Sequence, residues 1–110
     1  MWGAVRIRGY ANYVVGATAK GQLLDQSFVH AKHVQSHVMS MPRFKAGSVQ
    51  LVGAEQDLVA VVGLEDKPKR DDVRKGAADA ARALRKAGAT GEVLLEGLGD
   101  EEAALEGVSE

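Results

Sequence analysis

The sequence predicts a single α/β domain, a three-layer sandwich in which a mixed sheet carries helices on both faces. Three observations lead there. Valine-rich runs of strand character alternate with stretches of helical period. One run, Leu58-Val-Ala-Val-Val62, lacks polar alternation and therefore belongs to a strand covered on both sides. A chain of 110 residues has material for one core, burying roughly 65% of its unfolded surface, and not for two.

The elements follow in order. Val5-Arg-Ile-Arg-Gly-Tyr10 alternates with period two and reads as an N-terminal extension or edge strand over residues 1–10; the domain proper spans 11–110. Tyr13-Val-Val-Gly-Ala-Thr18 is the more core-like strand. From Gln22 to Met41 the apolar positions Leu24, Phe28, Ala31, Val34, Val38 and Met41 recur at helical steps, and Pro42 ends the pattern, so one long amphipathic helix is expected. Ser48 to Val52 and Leu58 to Leu64 are strands joined by a turn over Gly53-Ala-Glu-Gln-Asp57.

Pro68 and the pair Asp71, Asp72 open a second helix, where the helix dipole favours acids. Its buried stripe is Val73, Ala77, Ala80, Ala81, Leu84 and Ala87, and Gly88 is the expected left-handed stop. Glu92-Val-Leu-Leu-Glu96 reads as a strand. Asp100 begins a last helix, expected to be too short to stand alone and to leave Leu98, Ala104, Leu105 and Val108 half covered as an interface.

Composition narrows the function classes. Apolar residues at 45% and charged residues at 26% exclude a disordered chain. The absence of cysteine removes disulfides, thiolate metal sites and thiol nucleophiles, and points to a reducing, cytoplasmic setting. Arg6, Arg8, Lys20, Asp25 and Lys32 interrupt the first third, so no membrane span is expected. Met1 to Glu55 carries six lysines and arginines against two acids, and Gln56 to Glu110 eight against thirteen. That asymmetry can guide association, but it lacks the concentrated basic face of a nucleic-acid binder.

Several segments together carry a resemblance. Tyr13-Val-Val-Gly16, Phe44-Lys-Ala-Gly47, Leu58-Val-Ala-Val-Val-Gly-Leu64, Asp72-Val-Arg-Lys-Gly-Ala-Ala78, Ala81-Arg-Ala-Leu84 and Ala103-Ala-Leu-Glu-Gly107 follow one another in an order and spacing that resembles the N-terminal domain of the leucine aminopeptidases, peptidase family M17. The resemblance implies a macro-like fold and a non-catalytic role in assembly or regulation of a hexameric enzyme, with DNA binding in some bacterial members. The partner it implies is an aminopeptidase catalytic domain or a further copy of the chain. The family's two divalent metals, Zn or Mn, and its catalytic lysine and arginine belong to the C-terminal domain, so no catalytic residue and no cofactor carries over. A stand-alone macro-like module for a small nucleotide-type ligand is the alternative.

Three groups of residues have the chemistry of candidate sites. His30, His33 and His37 fall at i, i+3 and i+7, on one stripe of the expected helix, and are the candidate metal ligands. No Asp, Glu or Cys shares that stripe, so a polar flank is the expected reading. Gly63 between strand and helix resembles a phosphate-holding turn, yet Glu65 and Asp66 would repel phosphate. Lys67, Lys69, Arg70, Arg74, Lys75, Arg82, Arg85 and Lys86 are interleaved with Asp66, Asp71, Asp72 and Asp79, the pattern of a solvated helix face. No Gly-x-Ser-x-Gly context surrounds any serine, so nucleophilic catalysis is not expected.

Overall fold

The two valine runs that lack polar residues lie side by side at the centre of one sheet. The computed structural model describes residues 11–89 and 92–109; the expected edge strand over residues 1–10 lies outside them. The elements are β1 (Asn12–Thr18), α1 (Ala31–Met39), β2 (Val49–Ala54), β3 (Asp57–Leu64), α2 (Arg70–Lys86), β4 (Val93–Glu96) and α3 (Glu101–Ser109). The sheet order is β2-β3-β1-β4, with β1 parallel to both β3 and β4 and β2 antiparallel to β3. It is the mixed sheet that the sequence predicts.

Strand alternation sends successive side chains into two separate cores. Val15, Val59 and Val61 pack with Phe28, Val34 and Val38 of the α1 side. Val14, Ala60 and Val62 pack with Val73, Ala77, Leu84, Leu98 and Ala103 of the α2–α3 side. Helices therefore cover both faces, and the three-layer α/β class holds.

The long helix expected over Gln22 to Met41 is a correction: only Ala31–Met39 is helical. Polar side chains capture the preceding backbone instead. The Asp25 carboxylate accepts from Ser27 N–H (2.9 Å) and Ser27 Oγ (2.5 Å), while Gln35 Oε1 accepts from Leu23 N–H (2.9 Å). Leu23 bridges to Ala17, and Leu24 N–H donates to Gly16 O (3.1 Å), so this segment crosses the end of β1. Phe28 is buried from a turn, whereas Leu24 is exposed.

The turn between β2 and β3 is also tighter than expected. Ala54 pairs with Asp57, leaving Glu55 and Gln56 as a two-residue hairpin loop, and Glu55 takes the left-handed φ of 57° that such loops require. α2 ends where the sequence places its stop, with Gly88 at φ 84°. Ala87, expected in its buried stripe, is instead the exposed cap residue, and Ala78 joins the buried face.

α3 is covered on its α2 side. Asp100 caps it, its carboxylate accepting from Ala103 N–H (3.0 Å). Ala103, Ala104 and Gly107 press it onto α2 so closely that a Cβ on Gly107 would overlap the Arg74 carbonyl. Arg70 of α2 adds ion pairs to Asp100, Glu102 and Glu106.

Candidate functional site

His30 is the residue around which polar groups converge. It sits at the N-cap of α1, and its Nε2 donates to Asp57 Oδ2 at 2.8 Å. Asp57 opens β3, and its second oxygen, Oδ1, accepts from Ala11 N–H at 2.8 Å. The two side chains are only 9% and 16% exposed. Phe28 and Tyr13 meet the imidazole edge-on, with ring centroids 5.7 and 5.9 Å away, and lie 4.9 Å from each other. One carboxylate thus joins the start of β1, the start of β3 and the approach to α1.

Burial pushes the Tyr13 phenol above its ordinary value, and the nearby carboxylates of Asp57, Glu96 and Glu92 push it the same way. Beside this cluster a cavity of about 500 Å³ is bordered by Gln26, Phe28, His30, Lys32, His33 and Glu55.

The three histidines do not form one site. His30 leaves the helical stripe because it precedes α1, His33 donates from Nε2 to Gly53 O (3.0 Å), and His37 lies exposed in the last turn. Among the described residues no group of three or more His, Cys, Asp or Glu side chains is placed to hold a metal. Sequence reasoning missed Asp57, which lies 27 positions from His30 and shares no pattern with it. The His30–Asp57 dyad could hold and pass a proton. Among the described residues, Ser27 Oγ donates to Asp25, and Ser40, Ser48 and Ser109 donate to carbonyls of His37, Lys45 and Leu105, so these four hydroxyls are engaged elsewhere.

A second cavity, about 240 Å³, lies at the C-terminal end of β3, bordered by Gly47, Gly63, Glu65, Asp72, Lys75 and Asp79. Its floor is made by two of the glycine-bearing segments. Gly47 N–H donates to Gly63 O (2.9 Å), Gly63 N–H donates to Ser48 O (2.9 Å), and a Cβ on Gly63 would overlap the Lys45 carbonyl. Three carboxylates against one lysine make this cavity unsuited to phosphate.

The basic residues of α2 are solvated as expected. Asp71 holds Arg74 (2.5 Å) and Lys75 (3.2 Å), Arg82 pairs with Asp79, and the Arg74 hydrogen bond keeps the Asp71 carboxyl below the usual range.

The expected interface residues divide. Leu98 and Ala104 are buried at 1% and 0% exposure, so they are core and not contact surface. Leu105 is 60% exposed, and Val108 is half-buried against the α2–α3 core. Among the described residues no helix is long and apolar enough to cross a membrane. Comparisons with protein-family models, with curated proteins and with solved structures find no match for this chain.

Proposed function

We propose that this chain is a non-catalytic assembly or regulatory domain of the kind found at the N-terminus of metal-dependent leucyl aminopeptidases, with a macro-like fold and a cytoplasmic setting. One observation carries the reading furthest. Two segments on which the resemblance rests, Phe44-Lys-Ala-Gly47 and the Gly63-Leu64 end of β3, are separate in sequence but meet where Gly47 N–H donates to Gly63 O, and Gly63 N–H donates to the adjoining Ser48 O. Their shared spacing thus has a structural reason in this chain. The partner in this reading is an aminopeptidase catalytic domain or another copy of the chain, and Leu105 on the outer face of α3 is the contact residue. Val108 flanks it.

The alternative, a stand-alone module for a nucleotide-type ligand, would use the cavity at the C-terminal end of β3, where open α/β sheets bind ligands. Glu65, Asp72 and Asp79 oppose a phosphate there. Calorimetric titration with mononucleotides and assay of leucine-anilide hydrolysis with zinc or manganese test both readings. The assembly reading expects neither binding nor turnover. Micromolar nucleotide binding lost in Lys75→Ala, or turnover that survives a second purification, would overturn it.

A further inference from the structure

We propose that the cavity beside His30 binds a small carboxylate that carries a hydroxyl or amino group, held by the N-terminus of α1 and by the second ring nitrogen of His30. The site lies where β3 begins, at the opposite end of that strand from Gly63, and on the α1 side of the sheet. It is remote from Leu105 and α3, so it stands or falls independently of the assembly reading.

The first N–H groups of a helix find no acceptor within it, and the N-cap side chain ordinarily takes those of the second and third helical residues. In α1 these are Lys32 and His33. His30, the N-cap residue, makes no such bond, and the first turn holds no acidic residue. Its ring turns to Asp57 instead. Ala31 N–H is taken by Phe28 O and Val34 N–H by His30 O, while among the described residues no acceptor meets the N–H of Lys32 or His33. Both residues border the cavity of about 500 Å³, as His30 does. Two unserved donors, the positive end of the helix dipole and a lysine therefore meet at one opening, which is the chemistry that recognises an oxyanion.

The imidazole supplies an independent argument for a ligand. The His30 side chain is only 9% exposed, and its Nε2 is committed to Asp57. Its Nδ1 has no hydrogen-bond partner among the described residues, where no side-chain nitrogen or oxygen is both enclosed and unpartnered. The small exposed part of the ring thus includes Nδ1, and the cavity is the opening that His30 borders. Asp57, itself bonded to Ala11 N–H, fixes the tautomer, and edge-on contacts with Phe28 and Tyr13 hold the ring plane. A neutral imidazole that donates from Nε2 presents Nδ1 as an acceptor. An anion alone would leave this nearly buried acceptor unserved, whereas a hydroxyl or amine on the same ligand satisfies it.

Charge and shape narrow the ligand further. Asp57 and Glu55 lie on the same side as Lys32, so a singly charged carboxylate is tolerated and a phosphate dianion is opposed. Val29, 74% exposed at the cavity rim, offers a short alkyl chain an apolar surface.

Nitrogen-15 NMR of the full chain, titrated with lactate, alanine, propionate and inorganic phosphate, tests the assignment. Saturating shifts at the Lys32 and His33 amides and at His30 Nδ1 are expected with lactate or alanine, the tighter of the two identifying the donor as hydroxyl or amine. Propionate, which lacks a donor, should bind at least about fivefold more weakly. Lys32→Glu alters an exposed residue outside the core and leaves the His30–Asp57 pair intact; it should weaken binding about tenfold with an unchanged melting temperature. His30→Asn, whose own side chain can take the two N–H groups, should abolish binding. No saturating shift at these atoms up to about 50 mM ligand would overturn the proposal. So would propionate or phosphate binding as tightly as the better of lactate and alanine, or a Lys32→Glu chain that binds like the parent.

Discussion

His30 Nε2 stands 2.8 Å from Asp57 Oδ2, and the same carboxylate accepts the Ala11 amide, so one side chain fixes three chain segments that are remote in sequence. Removing it leaves a mostly buried imidazole and a backbone N–H without their acceptor. Asp57→Ala is expected to cost about 1–3 kcal/mol of stability, measured by urea denaturation. In a double-mutant cycle with His30→Ala the two losses should be less than additive. Independent losses would mean that the pair is not coupled.

Tyr13 supplies the pH-dependent counterpart. Its phenol is raised by burial and by Asp57, Glu96 and Glu92. A group whose folded value lies above its unfolded value gives stability that is complete below the unfolded value, about 10, and is lost as pH rises through the folded one. The alkaline limb of the stability profile should therefore flatten in Tyr13→Phe, with no change near neutrality. Thermal melts from neutral to strongly alkaline pH would show this, and an unchanged alkaline limb would contradict it.

Gly63 and Gly53 form a matched pair of tests. A Cβ at Gly63 meets the Lys45 carbonyl, which is backbone and cannot turn away, whereas one at Gly53 meets nothing within 4 Å. Gly63→Ala should destabilise by about 1–3 kcal/mol through overpacking, and Gly53→Ala should stay within about 0.5 kcal/mol of the parent. Equal denaturation midpoints for the two variants would contradict the interlock of the Lys45-to-Ser48 turn with β3.

These contrasts show which parts of the fold the sequence could reveal. β3 and α2 were legible because a continuous valine run and an alanine stripe bounded by Asp71 and Gly88 are local signals. Gln22 to His30 was not, because Leu24 and Phe28 keep helical spacing while Asp25 and Gln35 capture the backbone. The His30–Asp57 pair depends on the β2–β3 hairpin meeting the start of α1, which no local pattern encodes. Leu98 and Ala104 were misplaced at the surface for a similar reason: their burial depends on Gly107 letting α3 settle against the Arg74 carbonyl.

The corrected burial divides the last helix into core and surface. Leu98→Asp, at a site 1% exposed, should cost more than about 3 kcal/mol and abolish cooperative unfolding. Leu105→Asp, at a site 60% exposed, should leave the melting temperature of the isolated chain within about 1–2 °C of the parent. Similar melts for both variants would refute this division.

The most direct test of the assembly reading is sedimentation velocity of the chain mixed with a leucyl aminopeptidase catalytic domain freed of its own N-terminal domain, using the parent chain and Leu105→Asp. The reading predicts a faster-sedimenting complex with the parent chain, accompanied by a raised melting temperature, and weaker association with the variant. A chain that sediments as a monomer alone and in the mixture, with a melting temperature indifferent to both the partner and the substitution, would contradict it.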